Sequence, residues 1–286
     1  MALTRNDAAV HEKDGTYRNV SFSESHHMGQ VLDEEIDLRL FMDQWAMGFA
    51  VKTPWQGGHD GLRRSLQFFA PDGTAVHKTF LTRESDVEAY RTLVNAYRHE
   101  DQSIEQSVAA SDENDTPETP DEEIDVEGFL DEWADLEDTH DFFPLLRKYD
   151  VSRTQALRLG EGRFTRRVKR ESARTTLQAA AEQETPIMVF VGSPGCIQIH
   201  TGPVRTLKAT PPWYNVLDPG FQLHLNEERI AQSWVVKKPV ENGHVTSLEL
   251  IDEDGGIIVR FFGKRKDGAS EREDWRSILE GLPEEE

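Results

Sequence analysis

The sequence predicts an α+β fold made of two similar halves, each a large antiparallel β-sheet with flanking helices. Three observations lead to this prediction. Apolar and polar residues alternate on both sides of Asp-Gly turns, which is typical of β-hairpins. Two long segments of the first half are repeated in the second half, and apolar residues recur at helical spacing in the intervening and terminal segments. An internal duplication is therefore expected.

The repeated segments have the pattern of strand pairs. VLDEEIDLRL, which begins at Val31, aligns without gaps on VLDPGFQLHL, which begins at Val216. RSLQFFAPDGTAVHKTFL then aligns on TSLELIDEDGGIIVRFFG, so that Ser65 matches Ser247 and one Asp-Gly turn matches the other. Because both copies alternate apolar and polar residues around the turn, each half should be built on antiparallel strands.

Helices are predicted where apolar residues return every three or four positions along the chain. A short further helix should begin at the SRTQ sequence of residues 152–155, which is a capping box. The three apolar stripes are Val87, Tyr90, Val94 and Tyr97; Phe129, Trp133 and Leu136; and Trp275, Ile278 and Leu282.

The chain divides into three predicted regions. Residues 1–99 form the first half, residues 100–124 an acidic flexible linker, and residues 125–286 the second half, with a helical segment at 125–186 and a sheet at 187–270. The linker is rich in Asp, Glu, Ser, Thr and Pro and lacks apolar periodicity. Because only the second half begins with helices, we expect the N-terminal helical part of the first half to be missing, and an upstream in-frame start to supply it.

Composition restricts the class of protein. The formal charge of −21, from 53 acids against 32 bases, argues against a surface that coats nucleic acid, so no nucleic-acid partner is expected. Cys196 is the single cysteine, which excludes an internal disulfide and a Cys-rich zinc site, and no other metal site besides the one considered below is expected. The sequence shows neither a signal peptide nor an apolar run of roughly 18 residues, so we expect a cytoplasmic protein with no membrane span.

A histidine lies between two acids and two phenylalanines in the sequence DTHDFF at residues 138–143. His140 follows Trp133 by seven residues and Leu136 by four, so a continuous helix would direct its side chain into an apolar interior. Such a histidine is either a hydrogen-bonded core residue or a ligand, and the residue pattern alone leaves both open.

The segment after this histidine is basic, with nine Lys or Arg residues against two acids between Arg147 and Arg170. In one interpretation, LLRKYDVSRTQALRLG is a helix-turn-helix whose bases bind phosphates. In the other, the bases bind the carboxylates of a small anionic ligand, whose metal or apolar face meets His140 and the phenylalanines. The acid excess of the chain favours the second interpretation.

Six segments along the chain are informative when they are taken together. They are RNDAAVHEKDGTY at 5–17, EIDLRLF at 35–41, SLQFFAPDGTAVHK at 65–78, DTHDFFPLLRKY at 138–149, IMVFVGSPGCIQIHTGPV at 187–204 and KKPVENGHVTSLEL at 237–250. In this order they resemble a known family, that of the HemS-like hemin-degrading and hemin transport proteins, also called HemS/ChuX-type cytoplasmic heme-binding proteins. The resemblance spans nearly the whole chain.

The resemblance implies one heme held between the two halves, and it assigns a role to individual residues. His140 is the implied ligand of the heme iron, and Arg39 lies on the distal side of the heme. The implied pocket wall consists of Phe41, Phe143, Phe190 and Leu136; the bases for the propionates or the pocket are Arg153, Lys238 and Arg265; and His11 is a candidate second heme ligand.

Two positions depart from the family pattern, because Phe262 stands where relatives often have tyrosine and Arg260 where they have glutamine. The implied function is that of a cytoplasmic heme-binding protein of heme uptake and iron acquisition, which holds heme b (hemin) for transfer or degradation. The alternative is a heme-degrading enzyme that opens the porphyrin ring to release iron, with NAD(P)H or another electron donor. A heme import ABC transporter or a heme oxygenase is the expected donor or acceptor of the heme.

Overall fold

The computed structural model describes residues 1–23, 27–103, 105–110, 118–265 and 270–285. Its strands confirm the predicted α+β class with large antiparallel sheets. They are β1 (Ala2–Arg5), β2 (Ala9–Lys13), β3 (Val20–Ser23), β4 (Met28–Leu32), β5 (Asp37–Phe41), β6 (Met47–His59), β7 (Leu62–Phe69), β8 (Ala75–Phe80), β9 (Thr165–Val168), β10 (Ile187–Ser193), β11 (Cys196–Gly202), β12 (Leu207–Thr210), β13 (Trp213–Asp218), β14 (Phe221–Asn226), β15 (Gln232–Val240), β16 (Gly243–Ile251) and β17 (Ile257–Gly263).

The helices include the predicted ones, with Asp86, Asp125 and the Ser152 capping box at three of their N-termini. None of the helices in the described part of the chain has the length and apolar composition needed to cross a membrane. The helices are α1 (Val87–Ala96), α2 (Val126–Ala134), α3 (Phe142–Tyr149), α4 (Arg153–Leu159), α5 (Ser172–Glu182) and α6 (Glu273–Glu280).

The strands form two sheets. One has eight strands in the order β12-β13-β14-β2-β1-β8-β7-β6, and the other has nine in the order β3-β4-β5-β11-β10-β17-β16-β15-β9. The chain forms two compact units. Unit 1 comprises Met1–Asn6, Val10–Glu113 and Val191–Ile199, and unit 2 comprises Asp7–Ala9, Asn114–Phe190 and His200–Glu286. Within the predicted linker, residues 104 and 111–117 lie outside the described residues.

The sequence repeat is reproduced in the strand pairing. The hairpin of β4 and β5 in unit 1 has the same register as that of β13 and β14 in unit 2, and the same holds for β7 and β8 against β16 and β17. In the second pair of hairpins the register also shifts at equivalent points, after Phe68 and after Leu250. The equivalent partners are Val31–Leu38 and Val216–Leu223 in the first pair of hairpins, and Ser65–Phe80 and Ser247–Phe262 in the second.

Unit 1 buries small and branched apolar residues, with Val31, Leu38 and Val76 each 1% exposed. Cys196 is part of this core, and burial raises the pKa of its thiol to about 12, so the thiol stays protonated and unreactive. Gly73, in the turn between β7 and β8, has a φ of +87°. Only glycine adopts this conformation readily, which explains the Asp-Gly signature of the hairpin.

Unit 2 has an aromatic core between helices α2 to α4 and strand β15. Trp133 and Phe129 of α2 are completely buried, and the Trp133 ring stacks on Phe164 at 4.8 Å between ring centroids. Trp234 and Val236 of β15 belong to the same core. This packing fixes the helical segment against one face of the nine-stranded sheet and so positions the site described next.

Candidate functional site

His140 lies in a 3-10 turn, Thr139–Asp141, between α2 and α3. The Asp138 carboxylate accepts a hydrogen bond from the His140 backbone N–H at 2.8 Å and another from Nδ1 at 2.6 Å. An ionised carboxylate only accepts, so Nδ1 carries the hydrogen and Nε2 of the neutral ring presents its lone pair. A carboxylate that orients an imidazole in this way is a common arrangement at metal-binding histidines.

The prediction that His140 points into an apolar interior is wrong, because its side chain is 90% exposed. Helix α2 ends at Ala134, and Asp138 begins a separate turn, so the helical period does not extend from Trp133 to His140. The acids that follow Ala134 are unfavourable at a helix C-terminus, where the helix dipole repels negative charge. The exposed imidazole is accessible to a ligand.

Two consecutive phenylalanines at the start of α3 have opposite environments. Phe142 is 2% exposed and lies 4.5 Å from Trp133 between ring centroids, whereas Phe143 is 62% exposed. The Arg147 guanidinium lies 5.0 Å from the centre of the Phe143 ring. Phe143 therefore presents an apolar surface three residues from His140, while Leu136, predicted as a wall residue, is partly buried against the helical core.

A half-exposed wall lies on one face of the sheet in unit 2. Residues directly opposite each other in an antiparallel pair point to the same face. On β10 and β17 these pairs are Phe190 with Arg260 and Met188 with Phe262. All four are partly exposed, while the alternating neighbours Val189 and Phe261 are fully buried on the opposite face. The Phe190 and Phe262 rings are 4.9 Å apart.

A buried carboxylate, Glu249 of β16, organises the bases beside this wall. Arg153 donates to it from Nη2 at 2.6 Å and from Nε at 3.1 Å. The Lys238 Nζ lies 3.6 Å from Glu249, and Ser247 donates its hydroxyl hydrogen at 3.0 Å. The charged groups of Arg153 and Lys238 lie 5.1 and 4.7 Å from the centre of the Phe142 ring. Two of the predicted bases therefore form one cluster.

The cluster contains more positive than negative charge. Burial, and then the charge of Arg153, lowers the pKa of Lys238 to about 7. Burial opposes ionisation of Glu249, but the charges of Arg153 and Lys238 outweigh it and hold the Glu249 pKa below its ordinary value. Burial and the charge of Arg153 lower the pKa of Arg260 to about 10. Three bases therefore surround one carboxylate, an arrangement that favours a further anion.

Arg265, the third predicted base, follows β17 and is partly exposed. The pKa of Asp138 is lowered mainly by the hydrogen bond from the His140 backbone N–H and to a smaller extent by the positive charge of Arg265. Arg265 therefore lies near the histidine turn. The same turn is joined to the end of β15, the strand of the buried lysine, because the Glu241 N–H donates to the Glu137 carbonyl at 3.0 Å. The imidazole and the bases thus belong to one region of unit 2.

Unit 1 contains the remaining predicted residues. Arg39 and Phe41 share one face of β5, and the buried Leu38 and Leu40 lie on the other. Arg39 forms an ion pair with Asp37, whose pKa is raised by burial and lowered less strongly by Arg39. His11 is completely buried in β2. The predicted roles of these residues at the heme stay predictions.

The basic segment does form two short helices, α3 and α4, but many of its bases contact acids of the same unit. These contacts leave less free positive charge than the sequence suggested. The pairs are Lys148 with Glu132, Arg153 with Glu249, Arg158 with Asp121 and Arg163 with Asp131.

Sequence reasoning missed Asp138 and Glu249 as parts of the site, and it identified Arg260 only as a departure from the family pattern. Glu249 did carry a signal, since it is a lone acid between Leu248 and Leu250 in a strand of apolar residues. A charged residue in such a place requires a partner. Its partner Arg153 lies 96 residues away in the chain, so the identity of the partner was not readable.

The described ranges hold no group of three or more His, Cys, Asp or Glu residues that could bind a metal ion. An oriented imidazole such as that of His140 can serve as one ligand of a metal whose other ligands come with it. Iron in a porphyrin is such a metal, because the macrocycle supplies four nitrogen ligands and the protein supplies an axial one.

Comparison with known proteins identifies the family of the chain. The family model described as the haemin-degrading HemS/ChuX domain matches residues 1–97 and 150–282. The hemin transport protein HemS of Yersinia enterocolitica is 36% identical over 283 residues, which are 98% of this chain and 79% of the relative.

Solved structures are similar over almost the whole chain. Holo-PhuS, a heme-binding protein from Pseudomonas aeruginosa, is 44% identical with a TM-score of 0.91, covering 99% of this chain and 81% of that one. ChuS, an E. coli heme oxygenase, is 35% identical with a TM-score of 0.84, covering 98% of this chain and 82% of that one.

Proposed function

The chain belongs to the haemin-degrading HemS/ChuX family, and from this premise we propose that it is a heme-binding protein of heme uptake. The observation that carries the proposal is the combination in unit 2 of three features. These are the exposed His140 imidazole with Asp138 on its Nδ1, the half-exposed aromatic wall, and the buried excess of bases around Glu249. Heme requires one partner of each kind, for its iron, its flat apolar ring and its two carboxylates.

In this proposal Nε2 of His140 binds the heme iron, and the apolar ring lies against Phe143 and Phe190. The propionates are matched by the bases Arg153, Lys238 and Arg265, since carboxylates bind strongly to buried cations. Leu136, which was also predicted as a wall residue, contributes least, because it already packs against the helical core.

The main driving force is burial of the porphyrin ring. Free heme exposes a large apolar surface to water, and an apolar wall lowers its free energy by roughly 25 cal/mol for each Å² removed from water. The iron ligand and the bases then fix the orientation of the ring. We propose that this happens in the cytoplasm, with a heme import ABC transporter or a heme oxygenase as donor or acceptor.

Titration of the purified protein with hemin, followed by absorbance, tests this function. We expect a saturable complex with one heme per chain and a shifted Soret band. The complex should also transfer intact heme to an apoprotein acceptor such as apomyoglobin. The proposal would be contradicted by an absorbance change that rises linearly without saturation and equals the change given by an unrelated protein with no heme site.

A second candidate function is heme degradation, because ChuS, described as an E. coli heme oxygenase, is similar over 98% of this chain. Incubation of the heme complex with air and a reductant such as NADPH separates the two functions. An enzyme destroys the Soret absorbance of several heme equivalents per chain and releases iron and a tetrapyrrole. A carrier loses no more Soret absorbance than free hemin under the same conditions.

A further inference from the structure

Arg260 differs from the other bases of unit 2 in its contacts. It lies on β17, directly opposite Glu249 of β16 and Phe190 of β10. Its guanidinium stands 5.7 Å from the centre of the Phe190 ring. Its Nε is buried and has no hydrogen-bond partner within the described part of the chain.

The neighbouring carboxylate, that of Glu249, already has other partners. Glu249 accepts hydrogen bonds from Arg153 and Ser247, and Lys238 is its second cation. Three cations then face one carboxylate, so the cluster has a formal charge of +2 when Lys238 is protonated (3 − 1). A buried guanidinium N–H without an acceptor, such as the Nε–H of the partly exposed Arg260, is costly, and a bound ligand can supply the missing acceptor.

We propose that Arg260 is a specificity-determining residue, whose guanidinium binds a carboxylate at the edge of the bound tetrapyrrole and so selects rings with free carboxylates. This inference rests on the proposed heme function and adds a residue to it. The two carboxylates of heme carry a charge of −2, which neutralises the cluster. The Phe190 and Phe262 rings beside Arg260 offer the flat apolar surface against which such a ring can lie.

Arginine suits this task better than a neutral side chain. Its planar donors match a carboxylate in two parallel hydrogen bonds, and it keeps its charge even where burial lowers its pKa to about 10. A ring whose carboxylates are esterified would leave Arg260 without an anion. The site should therefore discriminate between the free acid and the ester of one and the same iron porphyrin.

The internal duplication provides a matched control. Lys78 of β8 is the residue in unit 1 that corresponds to Arg260. It lies opposite Leu3 of β1, as Arg260 lies opposite Phe190 of β10. Gln67 lies opposite Lys78, where unit 2 has Glu249. Lys78→Gln removes the same charge from the equivalent sheet position, without touching the cluster of unit 2.

The experiment is a titration of the wild type, Arg260→Gln, Arg260→Lys and Lys78→Gln with hemin and with hemin dimethyl ester. The wild type should bind hemin at least roughly tenfold more tightly than the ester, as expected for a charge-assisted hydrogen bond. Arg260→Gln should lower this ratio several-fold by weakening hemin binding alone, while the other bases keep the remainder. Arg260→Lys should retain part of it, and Lys78→Gln should retain all of it.

Three results would overturn the inference. If Arg260→Gln weakens binding of hemin and ester equally, Arg260 is structural; thermal unfolding of the variant verifies that it is folded. If the wild type binds hemin and ester with equal affinity, the selectivity is absent although the heme function stands. If the wild type binds neither, the proposed function fails and the inference fails with it.

Discussion

Asp138 accepts hydrogen bonds from both the Nδ1 and the backbone N–H of His140, at 2.6 and 2.8 Å. This relationship fixes the ring orientation in a turn that is otherwise exposed, and it leaves Nε2 as the atom that we propose to bind the iron. We predict that Asp138→Asn weakens hemin binding several-fold and Asp138→Ala roughly tenfold or more, because loss of the partner of a metal-binding imidazole typically costs about 10–100-fold in affinity. Hemin titration measures both. Asp135→Asn removes the same charge from a nearby exposed position and should bind as the wild type does.

The two adjacent phenylalanines of α3 should affect different properties, Phe142 the stability of the fold and Phe143 the binding of hemin. Phe142→Ala should lower the free energy of unfolding by about 3–5 kcal/mol, because it removes a buried aromatic ring from the core around Trp133. Phe143→Ala should change stability by less than about 0.5 kcal/mol. It should nevertheless weaken hemin binding. Urea unfolding and hemin titration of the two variants give the comparison, and unchanged hemin affinity in Phe143→Ala would remove this residue from the wall.

Glu249 should be essential to the stability of unit 2. Glu249→Gln keeps the shape of the side chain but leaves Arg153 and Lys238 buried without their counter-ion. Breaking a buried ion pair in this way costs about 3–5 kcal/mol of unfolding free energy. The matched control is Glu253→Gln at an exposed position, which should have little effect. Equal stability of the two variants in urea unfolding would show that the cluster is not a stabilising network.

Lys238 should make stability depend on pH above neutrality. Its pKa is about 7 in the folded chain, against an ordinary value of 10.5. Between these values the unfolded chain holds a proton that the folded chain has released, so the unfolding free energy rises with pH across this window. Below pH 7 both states are protonated, and the full cost of the buried charge is present.

The variant Lys238→Met tests this dependence. Its gain in stability relative to the wild type should be larger at about pH 6 than at about pH 9, because only the wild type carries the buried charge at the lower pH. Urea unfolding at both values measures the difference. Lys237→Met, at the exposed neighbouring position, should show the same difference from the wild type at both pH values; a pH-independent effect of Lys238→Met would contradict the lowered pKa.

Much of the fold was readable from local patterns. The Asp-Gly turns and the alternation around them predicted the hairpins, and the sequence repeat predicted that Ser65 and Ser247 occupy equivalent places. Apolar spacing predicted helices α1, α2 and α6. Each of these features depends on residues close together in the chain, for which turn chemistry and periodicity are sufficient.

The site was less readable, because its contacts are between distant parts of the sequence. Periodicity placed His140 on a helix face, but the acids after Ala134 end the helix and expose the histidine. Arg153 and Lys238 were predicted to bind an anion of the ligand, yet their permanent partner Glu249 was not foreseen. Strand register and helix placement bring these three residues together, and neither can be predicted from a local sequence pattern.

The central claim is that the exposed, Asp138-oriented imidazole of His140 binds heme iron. It is tested most directly by titrating wild type and His140→Ala with hemin and comparing their absorbance and electron paramagnetic resonance spectra, with His27→Ala as a control at another exposed histidine that is also hydrogen-bonded to an aspartate. We predict that His140→Ala loses the histidine-ligated Soret position and binds hemin roughly tenfold or more weakly, while His27→Ala behaves as the wild type. Identical spectra and affinities for wild type and His140→Ala would contradict the account, because the iron ligand would then be another residue.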